Sequence, residues 1–474
     1  MTLPRLWAFL AVGLPVLAAL IANLPSVDLT YHLRAGAAIL AGQGIPTVDT
    51  WTFTAAGTPW TDQQWGAQVI LAGVYQLAGW TGLVVLRAAL IGTIFGCLFT
   101  IGWRRGLGMR RAAWLALAAF VVSAVALGLR PQLIGMAIFA VVLLLVTDRR
   151  AHPGRLWAIP VLVMLWANIH GSFFLGPLVL GLAWLEDVHD RVPSPHRLLL
   201  IALVSALAAC VTPFGPAVWA YAVGLSTSAE VTARITEWQP TTVRTIPGML
   251  FFGSSLAVVA LMARRGRATP WPTLAWLAIF FLIGVYAIRG VAWWPLGAVA
   301  AIAGVLVTGP AADPSSERLG SPVMRRLNLL VAGAIVVAGI ALLPLWRPIE
   351  PGLDAPQGVV GIAPPGITAA LRAHARPGDR LFDPQAWGSW FEFALPDLPV
   401  AIDSRIELFP PTVWTTYENI VAGGESWETQ LDGWGATLVV TDDDHPAMAD
   451  RLAAAGWQMV YSDDDGSIFS APGR

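Results

Sequence analysis

Eleven times before residue 346 the sequence runs apolar for long enough to cross a lipid bilayer, or nearly so, and this constrains the fold more than any other feature. A spanning helix needs roughly 17–25 predominantly apolar residues. The stretches lie near 5–24, 80–101, 112–129, 131–147, 156–170, 171–187, 197–212, 248–263, 270–288, 291–308 and 327–345. The pair meeting at Asn168 to Gly171 reads either as two helices or as one broken helix. Composition agrees with spans: 56% of residues are hydrophobic and 12% charged, about half the charged share of a soluble chain. The excess apolar surface must face lipid. A net charge of -1 gives no global field, and nucleic acid is excluded as a partner.

Every basic residue is arginine, and their placement orients the chain. With the N-terminus inside, the inner side holds Arg5, Arg104, Arg105, Arg110, Arg111, Arg149, Arg150, Arg155, Arg191, Arg197, Arg264, Arg265, Arg267, Arg318, Arg325 and Arg326. The outer side holds Arg34, Arg130, Arg234, Arg244 and Arg289. This positive-inside bias places the segment after the last span outside. Residues 1–24 are read as a retained first helix, since no small-x-small cleavage site precedes Pro25. Arg87 falls within a span and must face protein or snorkel. Cys97 and Cys210 lie in separate apolar runs and form neither a disulfide framework nor a metal site.

The expected architecture is an α-helical polytopic membrane protein of about eleven transmembrane helices with a small C-terminal α/β extracytoplasmic domain. The transmembrane domain covers 1–345, with outer loops at 26–79 and 213–247; the extracytoplasmic domain covers 346–474. In the first loop, Ser26–Gln43 has helical potential, Thr50–Thr54 alternates like a strand, and 66–78 reads as an amphipathic helix before the second span. Trp80 suits the interfacial belt. Loops this long are usually functional. Loop 213–247, with Ser226-Thr227-Ser228 and Glu237-Trp238-Gln239-Pro240, is polar enough for the interface or a lid. After 346, apolar strands at 381–382, 399–402, 436–440 and 459–461 alternate with helical patterns at 366–376, 411–421 and 446–455, as in an α/β layer structure. No Gly-rich phosphate loop follows any of these strands.

Candidate chemistry gathers on the outer side. Asp28 and His32 stand at i and i+4, on one helix face, where they would hold a divalent cation or poise a base; the structural reading is a helix-terminal acid and a buried histidine. Asp49 and Asp62 read as turn and helix caps or as further carboxylates. Arg130 and Arg289 defy the orientation bias, and each suits either a phosphate or a structural ion pair. Asn168 and His170 are costly in an apolar segment unless paired, so they mark either a site or an interhelical hydrogen bond.

The runs Asp28-Leu-Thr-Tyr-His32-Leu-Arg-Ala-Gly36, Ile45-Pro46-Thr-Val-Asp49-Thr-Trp-Thr-Phe-Thr54, Gly57-Thr-Pro-Trp60 with Trp65, Arg130-Pro131-Gln132, Trp166-Ala-Asn168-Ile-His170-Gly171, Trp387-Gly388-Ser389 and Asp403-Ser-Arg405 resemble a family of bacterial multi-pass membrane proteins. That family is similar to the GT-C membrane glycosyltransferases. The resemblance implies sugar transfer from a polyprenyl-phosphate carrier, within membrane lipid, to a glycan, lipid or protein acceptor outside the plasma membrane. It implies Asp28 as base or metal ligand, with Asp49 second and His32 orienting. It implies Arg130 and Arg289 on the carrier phosphate, with Asn168 and His170 in the same substrate site. Trp60 and Trp65 would stack on a sugar. Ser26 departs from the pattern, leaving no Asp-x-Asp pair across 26–28, so a divalent cation, if used, rests on Asp28. The rival reading is a lipid or solute transporter or an envelope-assembly scaffold. Against a transporter stand the absence of an internal repeat and the large irregular first loop.

Overall fold

The computed structural model describes residues 1–25, 27–307 and 321–473. Ser26 and Arg318, and the end of the span placed at 291–308, lie outside the described residues, as do the side chains of Ser226 and Arg267. Among the described residues six helices are long and apolar enough to cross a membrane: Leu3–Ile21, Trp65–Arg104, Met109–Ala126, Gly171–His189, Ile246–Arg265 and Pro322–Ala341. Five shorter apolar helices are Pro131–Thr147, Pro153–Ala167, His196–Ala208, Trp271–Tyr286 and Ile288–Ile302. Each of these eleven coincides with one of the apolar stretches of the sequence. The Asn168 to Gly171 segment separates two helices through a 3-10 turn at Gly171–Phe174.

Backbone contacts divide the chain into two compact units. The first comprises Met1–Ala22 and Val84–Leu343, the second Asn23–Leu83 and Pro344–Arg474. Loop 26–79, grouped with the spans in the sequence reading, thus clusters with the C-terminal residues. Helix Trp65–Arg104 runs through the boundary. Within that continuous run residues 66–78 form a helix of their own, as expected, and the run is two helices joined across a kink. Gly79 kinks it with φ 57° and ψ -152°, a conformation open essentially to glycine alone.

In the first unit, side-chain size sets helix spacing. Phe280 lies so close to the helix Trp293–Ile302 that a Cβ on Gly297 would come within 2.4 Å of its ring. Phe139 meets Trp293 at 5.4 Å and Phe280 at 5.8 Å between centroids, forming an aromatic core. Small residues that admit close approach drive helix association where lipid removes the hydrophobic contrast. Arg87 is 2% exposed and donates to the carbonyls of Ala19 and Ala22 at the end of the first helix. It faces protein, and it satisfies acceptors that a helix end leaves open. On Pro322–Ala341 the one buried residue is Ala332, so nearly the whole helix surface suits lipid.

The second unit is an α/β structure assembled from two distant parts of the chain. Ile349–Glu350 (β1) and Ala355–Pro356 (β2) form a short antiparallel ladder. Leu381–Phe382 (β3), Leu438–Asp442 (β4), Gln458–Ser462 (β5) and Gly466–Ser470 (β6) form a sheet in the order β3-β4-β6-β5. β3 and β4 are parallel; the other two pairings are antiparallel. Phe382, Val439 and Phe469 join Ile420, Leu431 and Leu452 in the core. Residues 399–402 make only isolated bridges, Val400 to Leu381 and to Thr52. Likewise 50–54 is bent backbone around that single Thr52 bridge, not a strand. The expected helices appear as Pro365–His374, Pro411–Ala422 and Pro446–Ala454, joined by Gln385–Ala394 and Trp427–Trp434. Helix Leu29–Leu40 packs on Gln385–Ala394. Trp80 is buried and meets Tyr75 at 5.1 Å and Phe393 at 6.0 Å.

Candidate functional site

The tight turn after Pro46 fixes Asp49 first. Its Oδ1 accepts from the Trp51 amide at 3.3 Å, and its Oδ2 from the Thr52 amide at 3.1 Å and the Thr52 hydroxyl at 2.6 Å. That is the turn-capping geometry open to a short acidic side chain. Oδ1 also accepts from Arg405 Nη2 at 2.8 Å, across 356 residues of sequence. Asp49 is 1% exposed and both of its oxygens are engaged.

Arg405 is the hub of this cluster. It reaches Asp403 Oδ2 through Nε at 2.9 Å and Glu392 Oε1 at 3.5 Å. Its guanidinium lies 4.5 Å from the Trp51 ring and 4.6 Å from the Trp60 ring. Buried charges persist only when paired, and flat aromatic faces add cation–π attraction. Burial alone would pull the Arg405 pKa down, but Asp403, Glu392 and Asp49 outweigh it and hold the guanidinium charged. Burial, reinforced by Asp403, pushes the Glu392 carboxyl well above its usual range. Arg34 lies on the helix Leu29–Leu40. It donates to the Glu392 carbonyl at 2.8 Å and the Pro396 carbonyl at 3.2 Å, and stacks 4.9 Å from Trp51.

Asp28 immediately precedes that helix and is half-buried. Its side chain makes no capping bond; its carbonyl accepts from the His32 amide at 3.3 Å. His32 is 1% exposed, with its ring 4.0 Å from Tyr31. Burial raises the Tyr31 phenol well above its usual pKa, and Asp28, Glu407 and Asp62 add to the shift. Asp62 accepts from Gln68 Nε2 at 2.7 Å, and burial lifts its pKa to about 7. Trp60 is buried, its ring beside Arg405, Trp51 and Tyr31. Trp65 opens the long helix and is half-buried. Among the described residues no group of three His, Cys, Asp or Glu side chains gathers to hold a metal ion.

The first unit carries a second polar group. Arg130, the N-cap residue of Pro131–Thr147, pairs through Nη1 with Glu237 Oε2 at 2.7 Å. Arg289 lies 4.5 Å from the Trp238 ring, and its carbonyl accepts from Gln132 Nε2 at 3.3 Å. Burial works against ionisation of Glu237, but Arg130 and then Arg289 hold its pKa below the usual value. Asn168 Nδ2 donates to the carbonyls of Met164 at 2.9 Å and Val211 at 3.0 Å. His170 Nδ1 accepts from the Ser172 amide at 3.2 Å and lies 2.7 Å from its hydroxyl. Both side chains thus hold the break between helices.

The structure brings Asp28, His32, Asp49 and Trp60 together in the second unit. It brings Arg130 and Arg289 together in the first. Sequence reasoning gave no role to Arg405, Glu392, Arg34, Tyr31 or Glu237. The available signal was weak: Arg34 stood on the wrong side of the charge bias, and Asp403-Ser-Arg405 was noted only as a motif.

No protein-family model matches the chain, and no curated protein matches it. Solved structures do. Oligosaccharyltransferase AglB from Archaeoglobus fulgidus, in complex with an inhibitory peptide and a dolichol-phosphate, superposes with a TM-score of 0.57 at 12% identity, over 92% of this chain and 69% of that one. The apo oligosaccharyltransferase of the same organism gives 0.56 at 14% identity, over 93% and 69%. ArnT from Cupriavidus metallidurans, bound to undecaprenyl phosphate, gives 0.53 at 16% identity, over 98% of both chains. These are GT-C glycosyltransferases. The chain has the GT-C fold and is a multi-pass membrane protein.

Proposed function

We propose that this protein is a membrane glycosyltransferase that moves a sugar from a polyprenyl-phosphate carrier to an acceptor on the outer face of the membrane. The observation that carries the reading is the GT-C fold, matched to ArnT over 98% of both chains. The matched AglB structure is a complex with a dolichol-phosphate and the ArnT structure is bound to undecaprenyl phosphate, which supports a carrier of that class here.

In the proposed reaction Asp28 accepts the proton of the acceptor hydroxyl. The acceptor oxygen attacks the anomeric carbon, the bond from that carbon to the carrier phosphate breaks, and the phosphate departs with the electron pair. Displacement from the opposite face inverts the configuration. Arg130 and Arg289 stabilise the departing phosphate through charge-assisted hydrogen bonds. Asp28 suits the base by its place, half-buried at the start of the helix Leu29–Leu40. Asp49 does not, since turn amides and Arg405 hold both oxygens; its part is to anchor the loop. His32 positions Asp28 from within the same helical turn. With Trp60 packed on Arg405, stacking on a sugar falls to Trp65. Asn168 and His170 shape the helix break rather than touch substrate.

The test is transfer of labelled sugar from a panel of polyprenyl-phosphate sugars, by wild type and by Asp28→Asn. The expected result is transfer by wild type and a drop of about 10²- to 10⁴-fold in the variant, the range for losing a general base, with folding intact. Undiminished transfer by the variant removes Asp28 from the mechanism. If wild type transfers no sugar and binds no polyprenyl phosphate, the enzyme reading fails.

A further inference from the structure

The two arginines assigned to the carrier phosphate are already engaged by neighbouring residues of the chain. One short turn, Thr236–Trp238, supplies both occupants. Glu237 sets a carboxylate oxygen 2.7 Å from Arg130 Nη1. Trp238, the next residue, lays its ring 4.5 Å from the Arg289 guanidinium. The turn is itself anchored to the Arg289 segment, since the Ile288 amide donates to the Gln239 carbonyl at 3.0 Å.

We propose that Glu237 is an intramolecular stand-in for the carrier phosphate: its carboxylate pairs with Arg130 and must be displaced by an anionic lipid headgroup. The inference rests on the phosphate role given above to Arg130 and Arg289, and adds a residue that sets what the site accepts.

Three features of the contact support an exchangeable counter-ion rather than a fixed brace. The Arg130 and Glu237 side chains are 25% and 37% exposed, unlike the partners of a buried ion pair. Glu237 meets Arg130 from Oε2 to Nη1 at 2.7 Å, and a phosphate offers a guanidinium two parallel bonds. Arg130 stands at the N-cap of a 17-residue helix, where the helix dipole adds attraction for an anion. A phosphate gains from all of these, and a neutral polyprenol from none. Glu237 thus acts as a filter: only a headgroup with more negative charge, or better geometry, than a carboxylate opens the site. Glu237 also keeps Arg130 compensated while the site awaits lipid.

The experiment is equilibrium binding of undecaprenyl phosphate and of undecaprenol to the purified full chain in detergent. It compares wild type with Glu237→Gln, Glu237→Asp, Arg130→Gln and the Glu237→Gln/Arg130→Gln double variant. Glu237→Gln is expected to bind undecaprenyl phosphate about tenfold tighter, with no change for undecaprenol. The gain is expected to vanish in the double variant, since a counter-ion acts only through its cation. Glu237→Asp, which shortens the reach but keeps the charge, is expected to fall between wild type and Gln. Equal or weaker binding of undecaprenyl phosphate by Glu237→Gln overturns the inference, and so does a gain that survives loss of Arg130. Weaker binding by both Glu237 variants would identify the turn as a structural brace. These readouts need no catalysis. A protein that binds undecaprenyl phosphate as expected but transfers no sugar refutes the enzyme reading and leaves the counter-ion standing.

Discussion

Substituting Arg405→Met keeps a long unbranched side chain between Trp51 and Trp60 but removes the cation that faces Asp49, Asp403 and Glu392. Breaking a buried ion pair by taking one partner costs about 3–5 kcal/mol. Here the partners lose unequally. Asp49 keeps three donors, the Trp51 and Thr52 amides and the Thr52 hydroxyl. Glu392, whose carboxyl burial already pushes well above its usual range, stands farther from Arg405 at 3.5 Å and loses less. Asp403 bears most of the cost, near the lower end of that range at about 3 kcal/mol. Loss of two cation–π contacts, at about 0.5–1 kcal/mol each, brings the total to about 4–5 kcal/mol. The measurement is amide hydrogen exchange at Thr52, Phe53 and Ala401, whose amides are bonded around this cluster. A loss of about 4 kcal/mol in local opening free energy corresponds to about 10³-fold faster exchange. Residues 131–147, in the other unit, serve as the internal control. Arg405→Lys keeps the charge without the planar fork and should fall between the two. Acceleration of less than tenfold in Arg405→Met would refute the claim that this cation holds the first loop to the C-terminal residues.

Two further outcomes follow from the same unit. Asp62 has its pKa raised by burial to about 7, so the fold favours the neutral carboxyl. Its stabilising contribution is complete below its unfolded value of 3.8 and is lost as pH rises through about 7. At most about 4 kcal/mol is at stake. Hydrogen exchange around 60–68 should therefore quicken from pH 4 to 8 beyond its intrinsic base dependence, and Asp62→Asn should flatten that excess; an unchanged profile in the variant assigns the effect elsewhere. At Gly388 a Cβ would lie 1.9 Å from the Ile402 carbonyl oxygen, a backbone atom that cannot swing away. Gly388→Ala should cost about 1–3 kcal/mol, read as faster exchange at Ala401 and Ile402, and no change would show that the approach is looser than described.

The spans were legible because bilayer thickness imposes a length and an apolar composition on every crossing helix. Residues 131–147 needed no tertiary knowledge. The orientation of the chain stays an inference from arginine placement. The second unit was only partly legible. β6 escaped because Ile468 and Phe469 are two apolar residues behind the acidic turn Asp463-Asp464-Asp465, although all five of its residues are buried. Thr50–Thr54 alternates like a strand, yet offers one bridge to Val400 and no ladder. Asp49 read correctly as a turn residue, because that signal is local. Its ion pair with Arg405 was invisible, since nothing local links positions 356 residues apart. The packing of the Trp60 ring 4.6 Å from the Arg405 guanidinium was equally out of reach of the sequence, because it joins the same two distant parts of the chain.

That separation also sets a timetable for synthesis. Residues 23–83 leave the ribosome with Asp49 in place but without the arginine that compensates it. At about 5–20 residues per second, the 356 intervening positions take about 20–70 seconds to arrive. For that interval the first loop is a half-built structure, exposing an incomplete aromatic surface around Trp51 and Trp60. Its last strand-to-loop connections cannot close until nearly the whole chain has been inserted. A chain stopped short of residue 403 would display that surface permanently, giving proteases a marker of incomplete synthesis on the same segment that carries Asp28.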